Sequence, residues 1–93
     1  MSDTELSEPY RTLDITDTFR ETFASFSQED RRRFLKALRL LDQNEKHRSL
    51  RVHDLAADLA GTWSASASHE LRMTFLRIPG GRKVMLTCSR HYR

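Results

Sequence analysis

Residues 61–93 read GTWSASASHELRMTFLRIPGGRKVMLTCSRHYR, two hairpin patterns in series. Trp63, Ala65 and Ala67 alternate with Ser64, Ser66 and Ser68, a period of two that suits a half-buried strand. After a short polar link at Ser68–Glu70, Leu71, Met73 and Phe75 alternate with Arg72 and Thr74. Pro79-Gly80-Gly81 is a turn, because proline presets one dihedral and glycine tolerates positive φ. Lys83 to Ser89 returns as a third strand. Arg72 is therefore expected mid-sheet, with Arg90, His91 and Tyr92 following the neighbouring strand. From this we expect a basic, proton-exchanging group to gather on one face of the sheet.

Upstream, residues 1–8 are polar and acidic and are expected to fray. Tyr10 to Ile15 reads as a short first strand. Thr18 with Glu21 fits a capping box, and Phe19, Phe23 and Phe26 recur at helical spacing behind it. Ser27 with Asp30 repeats the start signal, and Phe34, Leu35, Leu38 and Leu41 carry a second helix to about Asn44. The two helices are expected to run antiparallel. Leu50 to Leu55 reads as a second strand, and Ala56 to Ala60 as a corner before Gly61. The order is β-α-α-β-β-β-β. Sequential strands with short links pair with their neighbours, so the expected fold is α+β, with two N-terminal helices packed on a small antiparallel sheet. At 93 residues, 1–93 is read as a single domain.

A hydrophobic content of 38% against 31% charged residues fits a small globular protein. No apolar run approaches the roughly 18 residues of a membrane span, and the first residues lack signal-peptide order, so the cytoplasm is the expected compartment. The single cysteine, Cys88, excludes an internal disulfide and is expected to pack in the core. Formal net charge is +3, and its distribution is uneven. From Gly61 onward there are six Lys/Arg and one acid, Glu70; the first thirty residues hold eight acids and two arginines. On that count the positive field belongs to the C-terminal hairpins, which favours an anionic partner. Arg31-Arg32-Arg33 opens the second helix against its dipole. It reads either as a phosphate contact or, more simply, as a solvated face balanced by Glu29 and Asp30.

There is no Gly-rich phosphate loop, H-E-x-x-H, cysteine pair or G-x-S-x-G in the chain. His47, His53, His69 and His91 lack helical ligand spacing, so neither a metal nor a cofactor is expected. What remains is Arg, His and Tyr. That set suits metal-free RNA cleavage, which needs a base for the 2′-hydroxyl, a cation over the phosphate and an acid for the departing 5′-oxygen. Arginine is a fixed bidentate cation, and histidine can serve as acid or base near neutrality. Composition leaves open whether the contact is catalytic, or a non-catalytic contact with RNA or protein.

Gly61-Thr62-Trp63-Ser64, Leu71-Arg72-Met73-Thr74-Phe75 and Cys88-Ser89-Arg90-His91-Tyr92 together resemble the C-terminal half of the RelE superfamily of bacterial toxins, with the YoeB branch nearest. Leu50 to Leu55 resembles the H-x-L strand preceding that half, and the two-helix front agrees in layout. The resemblance implies a type II toxin–antitoxin toxin: a metal-independent, ribosome-dependent mRNA endonuclease held inactive by a cognate antitoxin. Its implied partners are that antitoxin, the ribosome and mRNA. By the same resemblance, Arg72 stabilises the phosphate, His91 transfers a proton, Tyr92 orients the substrate and Arg90 is the basic residue beside them. His53 matches a histidine that some relatives use. The YoeB glutamate before the H-x-L strand falls at Ser49, and the lysines of some RelE proteins are replaced by Ser64, Ala65 and Ser66. His53 is therefore the expected base, with Glu45 and Glu70 behind it. The scaffold also admits a ParE-like gyrase inhibitor that cleaves nothing, or a family member that binds without catalysis.

Overall fold

The computed structural model describes residues 6, 9–55 and 61–91. In chain order they form β1 (Leu13–Ile15), α1 (Asp17–Ala24), α2 (Gln28–Gln43), a 3-10 turn (Arg48–Leu50), β2 (His53–Asp54), β3 (Thr62–Ser66), β4 (Leu71–Ile78) and β5 (Arg82–Arg90). The element order is the expected one, and the two helices pack on one face of a five-stranded sheet ordered β1-β5-β4-β3-β2.

Both helices begin at a hydroxyl cap. Ser27 Oγ accepts from the Asp30 amide at 3.2 Å, as its position suggested. The first helix starts two residues earlier than the Thr18 signal, with Thr16 as its cap. Thr16 Oγ1 accepts from the Phe19 amide at 3.1 Å and donates to the Met85 carbonyl at 2.7 Å. One hydroxyl thus starts the helix and fastens it to β5, a tie that no local pattern contains. Phe19 and Phe23 of α1, with Phe34, Ala37, Leu38 and Leu41 of α2, turn onto the sheet and are buried. Phe34 meets Phe26 and Phe23 edge-on, at centroid distances of 5.0 and 6.4 Å.

Leu71, Met73 and Phe75 of β4, Met85 and Cys88 of β5, Ala65 of β3, Leu13 of β1 and Leu50 of the 3-10 turn join them in the core, with Leu6. Burial pushes the Cys88 thiol well above its ordinary range, in keeping with a packing role. Trp63 is only half-buried, and the Arg77 guanidinium stacks 4.3 Å from its ring centroid. Ser64 and Ser66, expected on a wet face, are also buried, so β3 is covered on both sides. Leu86 is an extra residue in β5, where Thr74–Thr87 pairing gives way to Phe75–Met85.

The strands depart further from expectation, and the first of them is Leu13–Ile15 in place of the expected Tyr10–Ile15. The sheet is mixed, because β1 joins β5 in parallel, with Leu13 opposite Lys83 and Ile15 opposite Met85; the antiparallel reading holds for β2 to β5. A strand followed by helices has no tight turn to set its direction, so docking decides it. The Lys83 amide donates to the Thr12 carbonyl at 2.7 Å, and Asp42 of α2 accepts from the Arg11 and Thr12 amides at 2.9 and 2.7 Å. The expected Leu50–Leu55 strand shrinks to His53–Asp54, because Arg51 adopts a left-handed conformation (φ 46°) that breaks the extended run. The Ala56–Ala60 corner lies outside the described residues. Among the described residues, no helix is long and apolar enough to cross a membrane.

Lys83 is 5% exposed in its side chain, and Glu45 compensates its charge at 3.2 Å. Glu45 also accepts from Arg77 at 2.6 and 3.1 Å. Hydrogen bonding to Arg77 first, then to Lys83, outweighs burial and lowers the Glu45 carboxyl from 4.5 to about 2. A depressed acid stabilises the fold fully above its unfolded pKa and loses that contribution as pH falls through the folded value. Glu45→Gln should therefore flatten the acid limb of stability between pH 4.5 and about 2, read by urea unfolding across that window. Parallel acid limbs for wild type and variant would remove Glu45 as a cause.

Candidate functional site

The six C-terminal cations do not act as one field. Arg77 and Lys83 share Glu45. Arg82 pairs with Asp14 across the β1–β5 junction, and its hydrogen bond holds that carboxyl below the usual range. Arg90 donates to Asp30 of α2 at 2.5 Å and to Glu70 at 2.8 Å, 5.9 Å from the Phe26 ring centroid. Arg93 lies outside the described residues. Arg72 alone of the described five has no carboxylate partner. Its Nη1 donates to the carbonyls of Ser68, His69 and Leu71 at 2.9, 3.0 and 3.2 Å, which orients the guanidinium and leaves its charge uncompensated.

Arg72 opens into a cleft of about 410 Å³ between α2, the 3-10 turn and the β3–β4 link. Three more cations line it: Arg33 and Lys36 from α2, and Arg51 beyond the 3-10 turn. Among the described residues no Asp or Glu lines it, while Ser49, Ser66, Ser68 and His69 contribute polar groups. Arg33 is shared with Asp30 at 2.7 Å and Glu29 at 3.3 Å, but Lys36 and Arg51 have no carboxylate partner among the described residues. A hollow with this lining attracts an anion and can wrap it with guanidinium and hydroxyl donors.

The structure brings together part of the expected set. Arg72 and Ser49 line the cleft; His53 does not. His53 is exposed on β2 opposite Ser64, which is opposite Thr74, so pleat parity puts it on the Arg72 side of the sheet. Their Cα positions are roughly 12 Å apart on ordinary strand spacings. His53 Nδ1 lies 2.9 Å from the Arg51 carbonyl, an acceptor, so Nδ1 carries the proton and Nε2 of the neutral ring is the free base. The His91 amide donates to the Glu70 carbonyl at 2.6 Å, extending the β4–β5 pairing by one residue. The same alternation carries His91 to the Arg72 side.

Arg90 is not brought beside Arg72. It pairs with buried Leu71, whereas Arg72 pairs with Ser89, so the two guanidiniums leave opposite faces of the sheet. Glu70 and Glu45, the reserve candidates for the base, are both held in ion pairs, and a carboxyl near 2 is a weak base. Tyr92 lies outside the described residues.

Arg33, Lys36, Arg51 and His69 were not singled out as site residues by sequence reasoning. The triple arginine was the available signal, but helical rotation divides it. Arg31 caps inward on the Phe26 carbonyl at 2.5 Å, Arg32 faces solvent and Arg33 reaches the cleft. Ser49, at the position of the YoeB glutamate, pairs instead with His47 Nδ1 at 2.8 Å.

Two helices on one face of a β1-β5-β4-β3-β2 sheet is the fold of the RelE/YoeB-like toxin superfamily. The chain is similar to the YoeB/ParE toxin from Agrobacterium tumefaciens, with a TM-score of 0.69, 20% identity, and coverage of 88% of this chain and 100% of that one. It is also similar to the RelBE2 toxin–antitoxin complex from Mycobacterium tuberculosis, with a TM-score of 0.60, 25% identity and coverage of 90% and 100%. The DinJ–YafQ toxin–antitoxin complex of Escherichia coli matches at a TM-score of 0.68 and 10% identity, over 89% and 94%. No protein-family model and no curated protein matches the sequence.

The two sheet arginines should separate in solution. Arg90→Gln leaves Asp30 and Glu70 without their shared cation and should lower the Tm more than Arg72→Gln does. Added pyrophosphate should raise the Tm of wild type and of Arg90→Gln, and leave that of Arg72→Gln unchanged, because only a ligand of the folded state stabilises it. The reverse pattern would make Arg72 the structural residue.

Proposed function

We propose that this protein is the toxin of a type II toxin–antitoxin pair, acting as a metal-independent endonuclease on mRNA at the ribosome, in the cytoplasm. One observation carries the reading: on the scaffold of such toxins, the sheet arginine that has no counter-ion among the described residues opens into a cleft whose described lining holds no acid. Arg72 stabilises the charge that develops on the phosphate, held by three backbone carbonyls that cannot neutralise it. His53 Nε2 takes the 2′-hydroxyl proton and His91 protonates the leaving 5′-oxygen. Tyr92 orients the nucleotide. Arg90, first expected beside Arg72 on the phosphate, is instead a positioning residue, fastening the end of β5 to α2 through Asp30 so that His91 follows from a fixed strand. Neither step calls on a cofactor.

The cognate partner is an antitoxin with an acidic segment that covers the cleft. The RelBE2, DinJ–YafQ and Staphylococcus aureus YoeB–YefM structures, all toxin–antitoxin complexes, support a partner of that kind. A second reading, a ParE-like gyrase inhibitor, draws support from the ion-paired state of Glu45 and Glu70, which removes both carboxylate bases.

Purified protein incubated with translating ribosomes in excess EDTA should cut mRNA, seen as primer-extension stops. His91→Ala should reduce cutting by about 10²–10⁴-fold, the usual contribution of a proton-transfer residue. Intact mRNA with gyrase-linked DNA breaks in arrested cells would establish the second reading instead. Undiminished toxicity of His91→Ala would mean binding without chemistry.

A further inference from the structure

The positive charge left uncompensated by the fold does not end at the cleft. Arg32, Lys36 and Arg39 of α2 are exposed, and none has a carboxylate partner among the described residues. At 3.6 residues per turn they fall within an arc of about 60°, centred opposite the stripe formed by Phe34, Ala37, Leu38 and Leu41. Arg32 and Arg39 stand about 10 Å apart along the axis. Lys36 belongs to both features, lying in this row and in the cleft wall. Glu29, the acid nearest the row, is held by Arg33 at 3.3 Å.

We infer that the solvent face of α2 is a track for the sugar–phosphate backbone of RNA, continuing the strand whose scissile phosphate sits at Arg72; the inference rests on the nuclease reading for its choice of RNA. Two observations favour a phosphate backbone over a protein segment. The row is uninterrupted by acid, so successive phosphates meet cations only. It also lacks an apolar anchor, which a docking helix requires. The exposed large hydrophobic residue among those described is Ile78, at the end of β4, whose parity places it on the sheet face away from the helices. Contacts of this kind hold and register the strand without reading its sequence.

Counterion release makes the track measurable. Binding of the full-length protein to a short 2′-O-methyl oligouridine, which cannot be cut, is followed by fluorescence anisotropy over a series of salt concentrations. Each backbone phosphate engaged on a single strand contributes about 0.7 to the slope of log K against log salt. Arg32→Gln/Arg39→Gln, which leaves the cleft untouched, should reduce that slope by about 1.4. Arg11→Gln/Arg20→Gln removes the same net charge from outside the row and should change it little. Equal losses in both double variants would reduce the effect to net charge and overturn the track, as would an unchanged slope in the first or no binding by wild type. Circular dichroism confirms that each variant is folded. Cutting with an unchanged slope would leave the nuclease and remove the track. A lowered slope with no cutting would leave the track and remove the nuclease.

Discussion

The pleat of β4 governs where every candidate residue ends up. Leu71, Met73 and Phe75 are buried against the helices, and successive side chains of a strand alternate, so Arg72 is kept out of that core; at the end of the strand its guanidinium turns onto the carbonyls of the β3–β4 link and into the cleft beside α2. Pairing with β5 extends the same parity. Ser89 accompanies Arg72, while Arg90 accompanies Leu71 and is carried to the helix side, where Asp30 meets it. A one-residue slip would exchange the two arginines and expose the core face of the strand, which is why burial of three apolar side chains also specifies which guanidinium is available.

Charge compensation then sorts the cations. Arg77, Arg82, Lys83 and Arg90 each find a carboxylate on another element, and those pairs close the joints of the fold: β1 to β5, the 44–46 loop to the sheet, and β5 to α2. Surface pairs of this sort are individually weak. Their larger consequence is electrostatic, because they remove the C-terminal hairpins as a source of positive potential. At the cleft the uncompensated charge comes from segments far apart in sequence, namely Lys36, Arg51 and Arg72, with Arg32 and Arg39 alongside on α2. The field expected over residues 61–93 is displaced to the cleft and to α2. Arg72 is the one residue of the expected set that belongs to it.

Much of the scaffold was legible without coordinates. The strand position at Trp63–Ser66, the alternation at Leu71–Phe75, the Pro79-Gly80-Gly81 turn and the Ser27 cap are local signals with local causes, and each appears where the sequence places it. The errors share a different character. The cap of the first helix is Thr16 and not Thr18, and the same Thr16 hydroxyl is fastened to the Met85 carbonyl, some seventy positions later. The direction of β1 and the shortness of β2 likewise depend on contacts no window spans. The cleft was the least legible feature, since His69 and Lys36 look ordinary in sequence and become neighbours of Arg72 only by packing.

Periodicity, turn chemistry and composition were thus enough to determine an α+β chain with two helices ahead of a hairpin-built sheet, and a surplus of arginine and histidine. Which of those arginines keeps a free charge was decided by tertiary structure alone. The physical reason is that a guanidinium's availability depends on whether a carboxylate lies within a few ångströms. For Arg90, Asp30 is brought there by a helix sixty residues upstream; for Arg72, none is among the described residues.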